Sequence, residues 1–150
     1  MTEVASRPTS AWNPARIYLL LAGAYLLLIG IVGFASAPRT FPFGAGAARR
    51  AGSGLVFGLF ETNGWHTLAG LLFGLIGLYF VFRDPAEAYL GALIVGLANA
   101  IAFVGLQVAV PSTYWLASNG ADAVLHGTLG ATGILAAVLS WPRRTPTQAA

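Results

Sequence analysis

Four long apolar runs, separated by short polar or charged stretches, dominate the chain. The first, Ile17–Ala35, holds 19 residues without a charge. The second, Gly64–Phe82, carries no formal charge but contains His66. The third, Ala88–Val110, is interrupted by Asn99 and Gln107. The fourth, Ala121–Trp141, contains Asp122 and His126. A helix needs about 20 apolar residues to cross a hydrocarbon core of about 30 Å, and all four runs qualify. None alternates with period two, as a barrel strand would. The pattern therefore predicts an all-α integral membrane four-helix bundle, with spans at about 17–35, 62–82, 88–110 and 120–141.

The connections agree with that reading. Residues 1–16 form a polar, Pro-containing tail, expected to be flexible. Residues 36–61 form the longest loop, and its Gly-rich part, Gly44–Gly54, reads as a flexible outer segment. Arg83-Asp84-Pro85 makes a tight charged turn, and Pro85 suits the first turn of a helix. Pro111 ends the third run, and Pro142 ends the fourth before the 142–150 tail. Ala35-Ser36-Ala37 has the small residues of a signal-cleavage site. Pro38 follows directly and the run is longer than a usual signal core, so retention as a span is expected.

Composition strengthens this picture. Of 150 residues, 57% are hydrophobic and 9% charged, against about 25% charged in soluble domains. Cysteine is absent, which excludes disulfides, thiolate metal sites and Cys nucleophiles. The net charge is +3 and every basic residue is Arg. Those residues sit in tails and short loops, where they act as orientation signals, so nucleic acid is not an expected partner. Arg7, Arg16, Arg83, Arg143 and Arg144 fall on one side, against Arg39, Arg49 and Arg50 on the other. The positive-inside rule then puts both termini in the cytoplasm, and the expected location is the bacterial cytoplasmic membrane. Trp12, Trp65, Trp115 and Trp141 lie near span ends, where amphipathic rings sit.

The second and fourth runs begin alike, TNGWHTLAG and SNGADAVLHG, with Asn-Gly and then a His four residues before a Gly. This suggests two helical hairpins related by a pseudo-two-fold along the membrane normal, a plan known among transporters. Glycine is frequent, and Gly70, Gly74, Gly77, Gly127, Gly130 and Gly133 are expected to seat neighbouring helices closely. On that ground the second and fourth helices are expected near the centre. The same glycines could serve a homodimer or a membrane-complex partner.

Most strongly polar groups of the spans fall in the outer half. At 1.5 Å per residue, His66 and His126 lie roughly 6 and 8 Å below their helix starts. Asp122 shares a face with His126, and Glu61, Asn63 and Asn119 stand at the helix starts. Gln107 is expected at a similar level, whereas Asn99 is placed apart, near the midplane. Intramembrane ionisable groups face the bundle interior or a wet cavity, so a convergent cluster is expected. One reading of it is structural, with Asn63 and Asn119 as caps and Asp122, Gln107 and the two His as interhelical glue. Three sharper readings stand beside it. The two His could ligate a b-type haem. His66, His126, Asp122 and Glu61 could hold a divalent metal, although a tetrahedral site needs three or four convergent ligands. The cluster could also handle a proton or small polar solute, since His titrates near neutral pH. The expected role is non-enzymatic, with no cofactor as the favoured state. No Ser elbow or phosphate loop is present, and Gly44–Gly54 lacks the Lys-Ser/Thr ending that a phosphate loop requires.

The segments GLFETNGWHTLAGLLFGLIGLYF and LASNGADAVLHGTLGATGIL resemble the two signature segments of a bacterial four-helix membrane family. That family is common in actinobacteria and catalogued only as a domain of unknown function. The resemblance covers roughly residues 15–141 and rests on Asn63–His66 and Asn119–His126. It implies fold and membrane location, and it supplies no activity. Many family members carry a further His one turn after the first, where this chain has Gly70, so the resemblance does not carry over a site that needs that imidazole.

Overall fold

The computed structural model describes residues 12–37, 39–42, 53–108 and 116–142. Arg7, Arg49, Arg50, Arg143, Arg144, Trp115, Pro111 and most of the Gly44–Gly54 segment lie outside the described residues. Among the described residues there are four α-helices: α1 (Pro14–Ser36), α2 (Gly64–Phe82), α3 (Ala88–Val108) and α4 (Gly120–Leu139). Each is long and apolar enough to cross a membrane, α3 together with the short 3-10 turn Pro85–Glu87 that leads into it. Side-chain size is sorted as lipid requires. Phe82, Val124 and Ile101 are at least 70% exposed, while Ala15, Ala88 and Ala92 are fully buried. Many large apolar groups face outward and small residues occupy the helix seams, the packing of a multi-pass membrane protein.

Local chemistry sets the helix ends. Asn13, Asn63 and Asn119 stand outside α1, α2 and α4 in extended conformation, and each side chain accepts a backbone N–H of the first turn. These are caps that satisfy otherwise orphaned donors. Pro14 follows the first cap at a position where its missing N–H costs nothing. Asp84 accepts the Ala86 N–H and starts the 3-10 turn. One end of the bundle is closed by long-range bonds. Asn13 Nδ2 donates to the Pro85 carbonyl, the Arg16 guanidinium to the Val81 carbonyl, and the Ala15 N–H to Ser140 Oγ.

The opposite end carries an element that the pattern of apolar runs does not reveal. Within the expected loop, β1 (Gly54–Val56) and β2 (Phe60–Thr62) pair antiparallel, with Val56 opposite Phe60. Phe57 and Gly58 turn the chain with φ of 53° and 68°, and the Leu59 N–H closes the reversal on the Val56 carbonyl. Three-residue strands are too short to show as a period in sequence.

Packing pairs α1 with α2 and α3 with α4. The centre differs from the expectation drawn from glycine. α1 touches all three other helices and approaches α3 across the bundle, whereas α2 and α4 stand at opposite corners and barely meet. Glycine marks a surface that another backbone approaches, not a central position.

The glycine contacts also expose the repeat. Gly23 faces the backbone of Gly77 and Leu78, and Gly96 faces that of Gly133 and Ile134. Gly74 abuts the backbone of Leu27, and Gly130 that of Ala100. One constant spacing carries Asn63, Gly74 and Gly77 onto Asn119, Gly130 and Gly133. A second carries Gly23 and Leu27 onto Gly96 and Ala100. The two hairpins thus share one packing register, as a pseudo-two-fold requires. In that register His66 matches Asp122, and His126 matches Gly70. The two His are therefore not equivalent positions, because the cap rather than the His–Gly spacing is the conserved landmark of the two halves.

Candidate functional site

The caps of α2 and α4 bring their first turns to the same end of the bundle, beneath the hairpin. There α2, α3 and α4, with Leu26 and Ile29 of α1, line a half-open cavity of about 550 Å³. Its wall is mostly apolar, including Phe73, Ile101, Val104 and Leu125, and its polar groups are Glu61, Thr62, His66, Asn99, Asp122 and His126. The volume lies within the range of small-molecule sites.

His66 and His126 meet across it, with ring centroids 5.5 Å apart and planes inclined by 24°. Each ring is braced through Nδ1. His66 Nδ1 lies 2.7 Å from the Ala117 carbonyl and 3.0 Å from the Glu61 carbonyl. His126 Nδ1 lies 2.8 Å from Asn99 Oδ1. Asn99, placed apart in sequence, is thus a member of the cluster. Its partner follows from the α3–α4 seam, since His126 sits one turn before Gly130, which abuts Ala100.

Asp122 is 1% exposed. Its Oδ2 accepts the Asn119 N–H at 2.8 Å, completing a capping box, and the Glu61 N–H at 3.0 Å. One carboxylate therefore caps α4 and ties β2 to it. Asn119 Nδ2 adds a bond to the Leu59 carbonyl, so α4 holds the hairpin by two side chains. Asn63 is buried and caps α2 through the His66 N–H, and its carbonyl accepts Thr67 Oγ1. The Glu61 carboxylate bonds Ser53 Oγ on the exposed side of the hairpin. Gln107 is a correction: it is exposed and does not line the cavity. Depth along a helix is countable from sequence, but the direction a side chain faces is not.

The metal reading is not supported by these positions. Among the described residues no three His, Asp or Glu side chains converge as a metal would require. The expected set of His66, His126 and Asp122 fails because Asp122 is turned to backbone donors. The six expected packing glycines all lie against neighbouring helices, with Gly127 against Phe103 and Gly133 against Tyr18 and Gly96. By the pseudo-two-fold, a more open groove lies between α1 and α4, lined by Tyr18, Tyr25, Leu129 and Thr132. No imidazole lines it, and the Tyr18 hydroxyl is committed to the Leu129 carbonyl at 2.9 Å. The imidazole-bearing cavity therefore has no counterpart in the other half-site.

No curated protein and no solved structure matches the chain. A family model described as a domain of unknown function, DUF4383, matches residues 16–139, which include every helix but the first two residues of α1 and all the cavity groups named above. With most of its length covered, this four-helix membrane chain belongs to the DUF4383 family.

Proposed function

We propose that the protein is a non-enzymatic component of the bacterial cytoplasmic membrane that holds a small, largely apolar molecule in the outer half of the bilayer. The observation that carries this reading is the cavity of about 550 Å³, apolar along its wall and ending in His66, His126 and Asn99. A helix interface serving only as glue closes on itself, whereas this space opens past the exposed Ile101 and Val104 and gives an apolar molecule a way in. A redox or transport role for the two His is the second reading, favoured by their approach across the cavity.

Purification in mild detergent followed by organic extraction and mass spectrometry tests the proposal. Wild-type protein is expected to release one small molecule in near-stoichiometric amount. Ala102→Phe, which places a ring in the cavity wall, is expected to release at least tenfold less while remaining helical and monodisperse. Extracts holding only bulk lipid and detergent would overturn the reading. A Soret band lost in His66→Ala would assign haem instead.

The orientation proposed has both termini in the cytoplasm. Among the described arginines, Arg16 and Arg83 share the end that Ser140 occupies, and Arg39 lies at the hairpin end. The absence of native cysteine makes a direct test simple. In intact cells an impermeant maleimide is expected to label Ser53→Cys, and to label Ala86→Cys only after permeabilisation. The reverse pattern would invert the topology.

A further inference from the structure

We propose that the molecule held in the cavity carries a neutral hydroxyl, an alcohol or a phenol, at its polar end, and that the Nε2 lone pairs of His66 and His126 receive it. This rests on the cavity reading above and deepens it.

The argument starts from hydrogen-bond bookkeeping. Both neighbours of His66 Nδ1 are backbone carbonyls, of Glu61 and Ala117. A carbonyl only accepts, so His66 Nδ1 must carry the hydrogen. The same holds for His126, whose Nδ1 faces Asn99 Oδ1. That amide cannot be turned over without loss, because its Nδ2 donates to the Val95 carbonyl at 2.8 Å. Each ring in its neutral form therefore has a bare lone pair on Nε2. Among the described residues no hydrogen bond reaches either Nε2, and no fully buried side-chain nitrogen or oxygen lacks a partner. The two Nε2 atoms are thus accessible, and both rings line the cavity.

The polar end consequently offers acceptors in excess. His66 and His126 present lone pairs there, while Asp122 is turned to backbone donors and the Glu61 carboxylate to Ser53. A carboxylate or phosphate ligand would find no N–H on the cavity side of the neutral rings. An ammonium would have to leave water for a mostly apolar chamber, at heavy desolvation cost. A hydroxyl meets the requirement without that cost. It donates one hydrogen to an imidazole, and its apolar body occupies the space toward Phe73 and Ile101. The two rings stand close enough for one ligand head to reach either of them.

The test uses full-length protein in mild detergent with ¹⁵N-labelled histidine. The chain contains two His, so each ring is resolved. Long-range ¹H–¹⁵N spectra of the wild type are expected to show both rings with Nδ1 protonated and Nε2 bare. 4-Heptylphenol is expected to move the Nε2 signals and to bind about tenfold more tightly than heptylbenzene, the value of one well-made hydrogen bond. Asn99→Leu, which unbraces His126, is expected to shrink that preference. Protonated Nε2 atoms in the wild type would overturn the proposal, whatever binds. Equal binding of the phenol and the benzene would overturn it while leaving the cavity reading intact. Tighter binding of heptylamine would replace the hydroxyl with a cationic head. Failure of all three probes to bind would overturn the cavity reading together with this proposal.

Discussion

Gly74→Ala is expected to open the α1–α2 seam and to produce one of the largest losses of stability available from a single methyl group. A Cβ at this position would stand 2.5 Å from the Leu27 nitrogen and 2.8 Å from its Cα. Both are backbone atoms, so no side-chain rotation relieves the clash and the helices must separate. Overpacking of this kind costs about 1–3 kcal/mol. In a bilayer the loss spreads along the seam, because helix association there depends on close van der Waals packing. Thermal unfolding in detergent should show a midpoint several degrees below wild type, and Gly74→Leu should yield no monodisperse protein. The repeat mate Gly130 predicts the same direction with a smaller effect, since its Cβ would stand 2.8 Å from the Ala100 nitrogen. Gly120→Ala is the control, with nothing within 4 Å. Wild-type stability in Gly74→Ala would refute the packing register on which the repeat rests.

Asp122→Ala is the second large effect. The substitution removes the acceptor for two backbone donors at once, Asn119 N–H and Glu61 N–H. Each orphaned donor costs about 1–3 kcal/mol, so a loss of roughly 2–6 kcal/mol is expected. A carboxylate in the first turn also favours the positive end of the helix dipole. Asp122→Asn keeps an acceptor oxygen without the charge and should fall between the two. The structural consequence is local as well as global. With the β2 tie gone, only the Asn119–Leu59 bond remains of the two side-chain links from α4 to the hairpin. Limited proteolysis within residues 53–62 should accelerate in Asp122→Ala, beyond what Val124→Ala causes at an exposed site of the same helix. An unchanged cleavage rate and melting midpoint would show that the carboxylate does not hold the hairpin.

Much of this fold is legible in linear order. Each apolar run appears as a helix of membrane-spanning length, and Asn63 and Asn119 are caps, as their place before the second and fourth runs suggests. The approach of His66 to His126 agrees with the cost of isolating polar groups in lipid. Other assignments depend on angle rather than depth. Gln107 has the right height but faces outward, and Asn99 has an unpromising height but faces His126. The hairpin escapes because its strands are three residues long and its reversal places Phe57, a bulky residue, at positive φ. The shared Asn-Gly starts give the repeat register and the His–Gly correspondence does not, because the caps and the close-packed glycines, not the imidazoles, occupy equivalent places in the two halves.

Hydropathy, capping residues and the spacing of small side chains are properties of short stretches, and they suffice for the number of spans, the helix starts and the surfaces where backbones touch. The tautomers of the two imidazoles are different in kind. They depend on carbonyls contributed by residues 61 and 117 and on an amide from α3, groups brought together only when four helices and a hairpin pack at once. The cavity has the same origin, being the volume left where α2 and α4 stand at opposite corners. Local sequence carries no information about a space that no single element encloses.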